Sequence, residues 1–307
     1  MTTSTTTQST TTNKPARPLT RIVPAASTIE GGGFEVYRPF PGSVIDWLDP
    51  FLLLDEMAPN HQKPGEAIGA PPHPHRGFET VTYVLQGEVE HRDSAGNHGV
   101  IGPGDVQWMT AGDGIIHSEM PSTRLQTDGG VLHGLQLWVN LPASLRRTTP
   151  KYQGLPADQI ASVDGDGWKA EVVAGSMFGV RGPAATHTPV GYARVTVQPG
   201  STLRIQTPDR QTALVYAFDG VGVVGDESQR LEAHHLAVFD RTGGDIALAV
   251  PADEPTALDC IVLTGEPINE PMARYGPFVM NTTGELEEAI NDFNAGRMGS
   301  IPATGTT

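Results

Sequence analysis

The chain has 307 residues, 38% of them hydrophobic and 18% charged, a composition typical of a globular protein long enough for two domains. It carries 35 acidic against 20 basic residues, a formal net charge of −15, which argues against nucleic-acid binding because that affinity depends on phosphate neutralisation. No apolar run approaches the roughly 18 residues of a membrane span. The single cysteine, Cys260, excludes an intrachain disulfide and predicts a cytoplasmic setting, with Cys260 itself in a buried strand.

The chain begins with a threonine-rich segment, MTTSTTTQSTTTNKPARPLTR, that almost lacks apolar side chains. Such a composition cannot bury a core, and it predicts a disordered tail over residues 1–21. The segment also lacks the hydrophobic stretch that a signal peptide needs, so we do not expect an export signal.

Residues 22–142 consist of short apolar or alternating runs broken by Gly, Pro, Asn and Asp. Strands are predicted at 79–87, at 132–142 and twice within 99–112, with a hairpin turn at 93–97. Helical periodicity is nearly absent. The segment is therefore predicted to be an all-β domain, either a barrel or a sandwich.

A second β-rich domain is predicted over 168–300, after a polar linker region at 143–167. The segment TVTYVLQGEVEH in the first domain aligns with ALVYAFDGVGVV in the second, which places Tyr83 over Tyr216. Both copies are followed by a turn and another strand. We therefore expect two similar β-barrels in tandem.

One helix is predicted near the end of the second domain, in NTTGELEEAINDFNAGRMG. Thr282 and Glu285 form a capping box at its start. Leu286, Ile290 and Phe293 form an apolar stripe, which predicts that the helix packs against a barrel.

Two histidines stand one residue apart in PPHPHRGFET. The following proline restricts His73 to extended geometry, in which His73 and His75 project from the same face, roughly 6.5–7 Å apart at Cα. His117 and Glu119 repeat this spacing in GDGIIHSE. If the two segments are neighbours, three imidazoles and one carboxylate converge, and a six-coordinate metal held by them keeps two open positions, as catalytic sites do.

The second domain lacks this pattern, because Gln206 and Pro208 stand where the repeat places His73 and His75. A metal site is therefore expected in the first barrel only. His133 is assigned a hydrogen-bonding role. The other histidines considered are interpreted as non-ligands, the first two of them as exposed residues beside the hairpin turn: His91, His98, His61, His234 and His235.

Four segments together resemble the pirins, a branch of the cupin superfamily. They are DPFLLLDEM (49–57), PHPHRGFETVTYVLQGEVEHRDSAGNHGVIGPGDVQWMTAGDGIIHSE (72–119), LQLWVNLP (135–142) and ARYGPFVMNT (273–282). The resemblance spans roughly 22–300 and implies a bicupin fold of two jelly-roll barrels, with iron or another divalent metal in the N-terminal barrel. It implies a ligand set of His73, His75, His117 and Glu119.

Glu79 offers an alternative carboxylate ligand. The spacing His73-x-His75-x3-Glu79 also matches the first motif of general cupins, and extended geometry places Glu79 on the face of the two histidines. The pirin resemblance assigns the carboxylate to Glu119 instead. Glu79 then becomes a residue that supports the ligands or lines the pocket.

The resemblance also implies a function. Bacterial pirins resemble quercetin 2,3-dioxygenases, which open the central ring of a flavonol with O2 and release carbon monoxide. Fe(II), or another first-row divalent ion, would be the cofactor, and Glu119 would be both a metal ligand and a candidate general base. The alternatives are a redox-responsive regulator that binds protein partners, and a cupin with a structural metal or another substrate.

Overall fold

The computed structural model describes residues 14–302, and most of the first half of the chain forms antiparallel strands. A short helix, α1 (Thr123–Asp128), and a 3-10 turn at Ala143–Leu145 interrupt them. The strands are β1 (Leu19–Pro24), β2 (Ala26–Glu30), β3 (Phe34–Phe40), β4 (Phe51–Gln62), β5 (Ala70–His75), β6 (Phe78–Gln86), β7 (Val89–Asp93), β8 (His98–Ile101), β9 (Val106–Thr110), β10 (Ile115–Pro121), β11 (Gly130–Asn140) and β12 (Lys151–Leu155).

The second half repeats this pattern and ends with the helix α2 (Thr283–Asn294). A 3-10 turn at Ala157–Gln159 precedes the first strand of this half. The strands are β13 (Ala161–Gly165), β14 (Trp168–Ala174), β15 (Ser176–Met177), β16 (Val180–Arg181), β17 (Val190–Val197), β18 (Thr202–Gln206), β19 (Thr212–Asp219), β20 (Val221–Val224), β21 (Gln229–Glu232), β22 (His235–Phe239), β23 (Asp245–Ala249), β24 (Leu258–Gly265), β25 (Ala273–Tyr275) and β26 (Phe278–Met280).

Each half forms a barrel from a seven-stranded and a four-stranded sheet, which confirms the prediction of two tandem β-barrels. In the first barrel the strand orders are β12-β9-β6-β11-β4-β3-β2 and β5-β10-β7-β8. In the second they are β1-β22-β19-β24-β17-β14-β13 and β18-β23-β20-β21. The order of the strands in the two barrels is therefore equivalent, apart from the origin of one edge strand in each.

Those edge strands are exchanged between the domains. β1 precedes the first barrel in sequence but pairs with β22 of the second, while β12 comes from the predicted linker and pairs with β9 of the first. The structure thus differs from two predictions. Residues 14–21 of the predicted tail are ordered and lead into β1, and the predicted linker 143–167 contributes one strand to the larger sheet of each barrel. Residues 1–13 of the predicted tail lie outside the described residues. Local periodicity cannot reveal such a long-range exchange.

The outer faces of the two larger sheets pack together and form an apolar core between the barrels. All five residues of β9 are buried, because Val106 and Trp108 enter this core while Met109 faces the first barrel. Tyr83 of β6 and Tyr192 of β17 meet edge to face across the core, with ring centroids 6.3 Å apart. The larger sheet of the first barrel is therefore held on both sides.

The C-terminal helix agrees with its prediction. The Thr282 side chain accepts a hydrogen bond from the Glu285 backbone, and the Glu285 side chain reaches back to the Thr282 backbone, which completes the capping box. Leu286 is buried, whereas Phe293 is 37% exposed and contacts Phe278 at 6.3 Å between ring centroids.

Among residues 14–302, no helix is both long and apolar enough to cross a membrane. Cys260 is fully buried in β24, as predicted.

The buried guanidinium of Arg17 anchors the exchanged strand β1. Arg17 is 1% exposed, and its side chain donates to the carbonyls of Asp240, Pro208 and Gln211 and to the Thr207 hydroxyl. We expect Arg17→Ala to lower the free energy of unfolding by about 2–4 kcal/mol, because four acceptors lose a charged donor. Urea unfolding measures this. Arg21→Ala, at an exposed position of the same strand, should change it by less than about 0.5 kcal/mol, and equal stability of the two variants would contradict the assignment.

Candidate metal centre

Two neighbouring strands of the smaller sheet bring three histidines together. In the antiparallel pair β5–β10, His117 lies directly opposite His73, and His75 lies opposite Ile115. Side chains at these positions share one face, since strand side chains alternate. One potential ligand nitrogen from each of His73, His75 and His117 lies within 4.8 Å of the others. The structure thus brings together the three histidines that the sequence selected.

The three imidazoles have nitrogens free for a ligand. Nδ1 of His73 donates to the Pro71 carbonyl at 2.7 Å, because a carbonyl can only accept, and this leaves Nε2 with its lone pair. Nδ1 of His75 and both ring nitrogens of His117 are buried and lack a hydrogen-bond partner among the described residues. Burial, with a smaller contribution from the neighbouring imidazoles, lowers the pKa of His75 and of His117 well below 6.5. Neutral imidazoles with free nitrogens, such as those of His75 and His117, fit a divalent metal ion.

Glu119 lies outside this group of three, but its carboxylate is held beside it. A register shift between His117 and Glu119 interrupts the β5–β10 ladder. Oε1 accepts from the Thr82 hydroxyl at 2.6 Å and from the Gln107 amide, and Oε2 accepts from the Gln136 amide at 2.8 Å. These donors come from β6, β9 and β11, so the opposite sheet fixes the orientation of this carboxylate.

Glu79 faces away from the three histidines, and the prediction that it shares their face is wrong. Gly77, between β5 and β6, has a φ of 91°, which breaks the alternation on which the prediction depended. Phe78, not Glu79, contacts His75, with ring centroids 5.1 Å apart. Glu79 is fully buried on the outer face, where its Oε1 lies 2.8 Å from Nδ1 of His187. It therefore neither joins the triad nor lines the cavity beside it.

His91 is an interior residue and not the exposed one that the sequence predicted. It is 0% exposed and lies on β7 directly opposite Glu119. Its Nε2 lies 3.1 Å from Oδ2 of Asp93, and its ring centroid lies 5.4 Å from that of His117. The alternation of Val89, His91 and Asp93, all buried, is the signal in the sequence that could have indicated one interior face.

The remaining histidines are separate from this centre. His98 is exposed, as predicted. His133 has the hydrogen bond predicted for it, with Nε2 3.1 Å from Oε1 of Glu56, and His234 approaches the other oxygen of that carboxylate at 2.8 Å. Sequence reasoning overlooked His187, which lies in a loop without a second histidine nearby in sequence. Within residues 14–302, none of these remaining histidines belongs to the group of adjacent potential ligand atoms.

A cavity of about 520 Å³ reaches the triad, and His73, His75 and Glu119 are among its lining residues. Strands of the first barrel's larger sheet and neighbouring loops form its apolar walls. The apolar lining residues include Phe34, Val36, Leu53, Met57, Ile68, Leu132 and Trp138. Trp138 contacts His75 edge to face, with ring centroids 5.1 Å apart. The cavity can therefore present a mostly apolar small molecule to the imidazoles.

An ion pair crosses one wall of this cavity. Nε of Arg38 lies 2.6 Å from Oδ1 of Asp55, and Nη2 lies 2.5 Å from Oδ2, so the pair is bidentate. A third nitrogen of Arg38 contacts Glu30 at 2.7 Å. Burial outweighs the opposing effect of the paired guanidinium and raises the pKa of Asp55 to about 6. This wall therefore places one guanidinium between two carboxyl groups.

The contact between His187 and Glu79 predicts a pH-dependent stability. Its hydrogen bond to the Glu79 carboxylate raises the pKa of His187 above 6.5. The stabilisation is fully present below the unfolded-state pKa of about 6.5 and is lost as pH rises through the folded-state value. We expect the loss of melting temperature in His187→Gln to be larger at about pH 5.5 than at about pH 8.5. His61→Gln, at an exposed position near the end of β4, is the control, and a pH-independent difference for His187→Gln would contradict this.

Comparison with known proteins identifies the family. Sequence models of the families described as Pirin and Pirin C-terminal cupin domain match residues 33–139 and 192–299. Pirin from Homo sapiens is 38% identical over 287 residues, which cover 92% of this chain and 94% of that protein. A pirin-like protein from Solanum lycopersicum is 40% identical over 284 residues, covering 92% and 93%. The crystal structure of quercetin 2,3-dioxygenase from Acinetobacter baumannii is similar with a TM-score of 0.85 and 40% identity, covering 94% of this chain and 100% of that one. These matches, which span both barrels, show that the chain belongs to the pirin family and has the bicupin fold.

Proposed function

We propose that this chain is a metal-dependent dioxygenase of the pirin type that opens a flavonol such as quercetin with O2. The observation that carries the proposal is a group of three imidazoles, two of which, those of His73 and His75, line a largely apolar cavity of about 520 Å³. Cavities of roughly 300–1,000 Å³ are typical of small-molecule sites. The similarity to the Acinetobacter baumannii quercetin 2,3-dioxygenase supports the choice of substrate class.

We assign the metal ligands to His73, His75, His117 and Glu119, and we expect Fe(II) as the ion. The residues fit such an ion, because buried nitrogens of His75 and His117 lack hydrogen-bond partners among the described residues. Three nitrogens and one carboxylate oxygen suit Fe(II) and other first-row divalent ions. When bound, the ion would supply Lewis acidity and electron-transfer chemistry toward O2 that side chains cannot provide.

Glu119 has the second role in this proposal, as the base that accepts the proton of the flavonol 3-hydroxyl. Its Oε2 accepts from Gln136 at 2.8 Å and keeps one lone pair for the ion. Its Oε1 accepts from Thr82 and Gln107, and it can take the proton when the Thr82 hydroxyl turns its hydrogen to Oε1 of Gln136, 3.0 Å away. Gln107 continues to hold this oxygen in place. Because the carboxylate is already oriented, little reorganisation is needed when the proton moves.

The cavity walls orient the substrate and exclude water in this mechanism. Trp138 presents an aromatic ring within the cavity, and its contacts with His75 and Phe78, at 5.1 and 4.3 Å between ring centroids, restrict its position. Leu53 and Met57 line the same cavity. A flat, aromatic substrate suits such walls, since aromatic rings prefer offset or edge-to-face contacts.

Turnover of quercetin by anaerobically Fe(II)-loaded protein tests the proposal. We expect oxygen consumption together with carbon monoxide release. His75→Ala should lower the rate by more than about 100-fold, because it removes a ligand of an ion that contributes several kcal/mol to catalysis. His98→Ala, at an exposed position of the same barrel, should retain the wild-type rate, and circular dichroism should show both variants folded.

Two results would contradict the proposal. One is the absence of oxygen consumption by the wild type with every first-row divalent ion tested. The other is full activity in folded His75→Ala. Inactivity with every ion would favour the regulatory alternative, and capture of a protein partner by the metal-loaded chain would then be the next measurement.

Substitution of Trp138 tests the role of the cavity wall. We expect Trp138→Ala to weaken anaerobic quercetin binding by about 10-fold, because an aromatic contact and its buried area are lost. Trp138→Phe should bind close to the wild-type level. Trp47→Phe, which changes a tryptophan that is 43% exposed, is the control for fluorescence titration. Unchanged quercetin affinity in Trp138→Ala would contradict this assignment.

A further inference from the structure

The buried pair of His91 and Asp93 has no part in the function proposed so far. We infer that His91, oriented by Asp93, is a positioning residue for His117: its Nδ1 accepts the hydrogen that the non-ligating nitrogen of His117 carries when the other nitrogen binds a metal. The inference rests on the proposed metal centre. It predicts a supporting Asp93–His91–His117 chain on one face of β7 and β10.

Asp93 is a fixed acceptor. It is 1% exposed, and its Oδ1 accepts from the backbone of Ala95 at 3.0 Å and of Asn97 at 2.9 Å. Its Oδ2 accepts from the Asn97 side chain at 2.8 Å and lies 3.1 Å from Nε2 of His91. Burial opposes ionisation of Asp93, but the hydrogen bonds with His91 and Asn97 outweigh it and lower the pKa of this carboxyl. The hairpin turn therefore holds one carboxylate oxygen against the His91 ring.

This carboxylate determines the tautomer of His91. An ionised carboxylate only accepts hydrogen bonds, so Nε2 of His91 carries a hydrogen, and in the neutral form of an imidazole the other nitrogen, here Nδ1, keeps a lone pair. The ring is stacked on Tyr152 of β12, with centroids 4.5 Å apart and planes 25° from parallel. Nδ1 of His91 is buried and has no hydrogen-bond partner among the described residues. A buried acceptor without a partner is unfavourable, so we expect a hydrogen-bond donor near Nδ1 of His91.

His117 supplies the matching donor. Asp93 lies directly opposite His117 in the β7–β10 ladder, so the His91–Asp93 pair and His117 share the interior face. The rings of His91 and His117 are 5.4 Å apart between centroids and inclined by 52°, and both nitrogens of His117 lack partners among the described residues. Metal-bound histidines usually donate their second nitrogen to an outer acceptor. A centroid separation of 5.4 Å permits a hydrogen bond between the two rings when their nitrogens face each other.

Binding of Co(II) to the metal-free full chain tests the inference without any turnover. His91→Phe keeps a flat ring against Tyr152 but removes the acceptor, and we expect it to weaken Co(II) binding by about 10- to 100-fold and to shift the visible absorption bands. His91→Gln restores a side-chain acceptor and should recover most of the affinity. His61→Phe, the matched substitution at an exposed position of β4, should bind Co(II) as the wild type does.

Asp93→Asn is a second, independent variant. Its amide oxygen can still accept from the turn, but its NH2 group donates to Nε2 of His91 and moves the ring hydrogen to Nδ1. We expect a loss of Co(II) affinity similar to that of His91→Phe. If His91→Phe does not fold, the Co(II) affinity of Asp93→Asn tests the inference by itself.

Three outcomes separate the inference from the proposed function. Wild-type Co(II) affinity and spectrum in folded His91→Phe or Asp93→Asn would overturn the inference alone. Equal losses in His91→Phe and His91→Gln would assign a merely structural role to His91 and would also overturn it. Failure of the wild type to bind Co(II) would overturn the proposed metal centre, and the inference with it.

Discussion

The pairing of β5 with β10 is the constraint on which the site depends. It places His73 opposite His117, and the pleat of β5 adds His75 on the same face. The two strands are separated in sequence by four others, so the triad exists only when the barrel is closed. The nitrogens left without partners at His75 and His117 make the empty arrangement costly, since buried polar groups are normally hydrogen-bonded. A bound metal would remove that cost and would thereby couple metal binding to the stability of the first barrel.

The larger sheet of the first barrel serves the site and the domain interface at once. Its inner face supplies the Thr82, Gln107 and Gln136 side chains that hold Glu119, while its outer face carries Tyr83 into the core between the barrels. The second barrel has the same strand order but an apolar interior. Within residues 14–302, the group of adjacent potential ligand atoms lies in the first barrel. Only a single layer of strands separates the interface from the residues around Glu119.

The sequence predicted the features that depend on regular alternation, including the two H-x-H and H-x-E pairs, the repeat of barrels and the capped helix. It failed where alternation is interrupted or where pairing is remote. The positive φ of Gly77 turned Glu79 outward. The polar residues around His91 favoured an exposed position, although its alternation with Val89 and Asp93 places it inside the barrel. The exchange of β1 and β12 between barrels leaves no local pattern, because each strand satisfies its hydrogen bonds on a distant partner.

X-ray absorption at the iron edge of the Fe(II)-loaded protein tests the central claim most directly, because scattering from imidazole rings counts the histidines bound to the ion. The account predicts one iron per chain, with three imidazole ligands and one carboxylate oxygen, and loss of one imidazole shell in His73→Ala. Iron bound without histidine scattering, or a spectrum unchanged by His73→Ala, would contradict it.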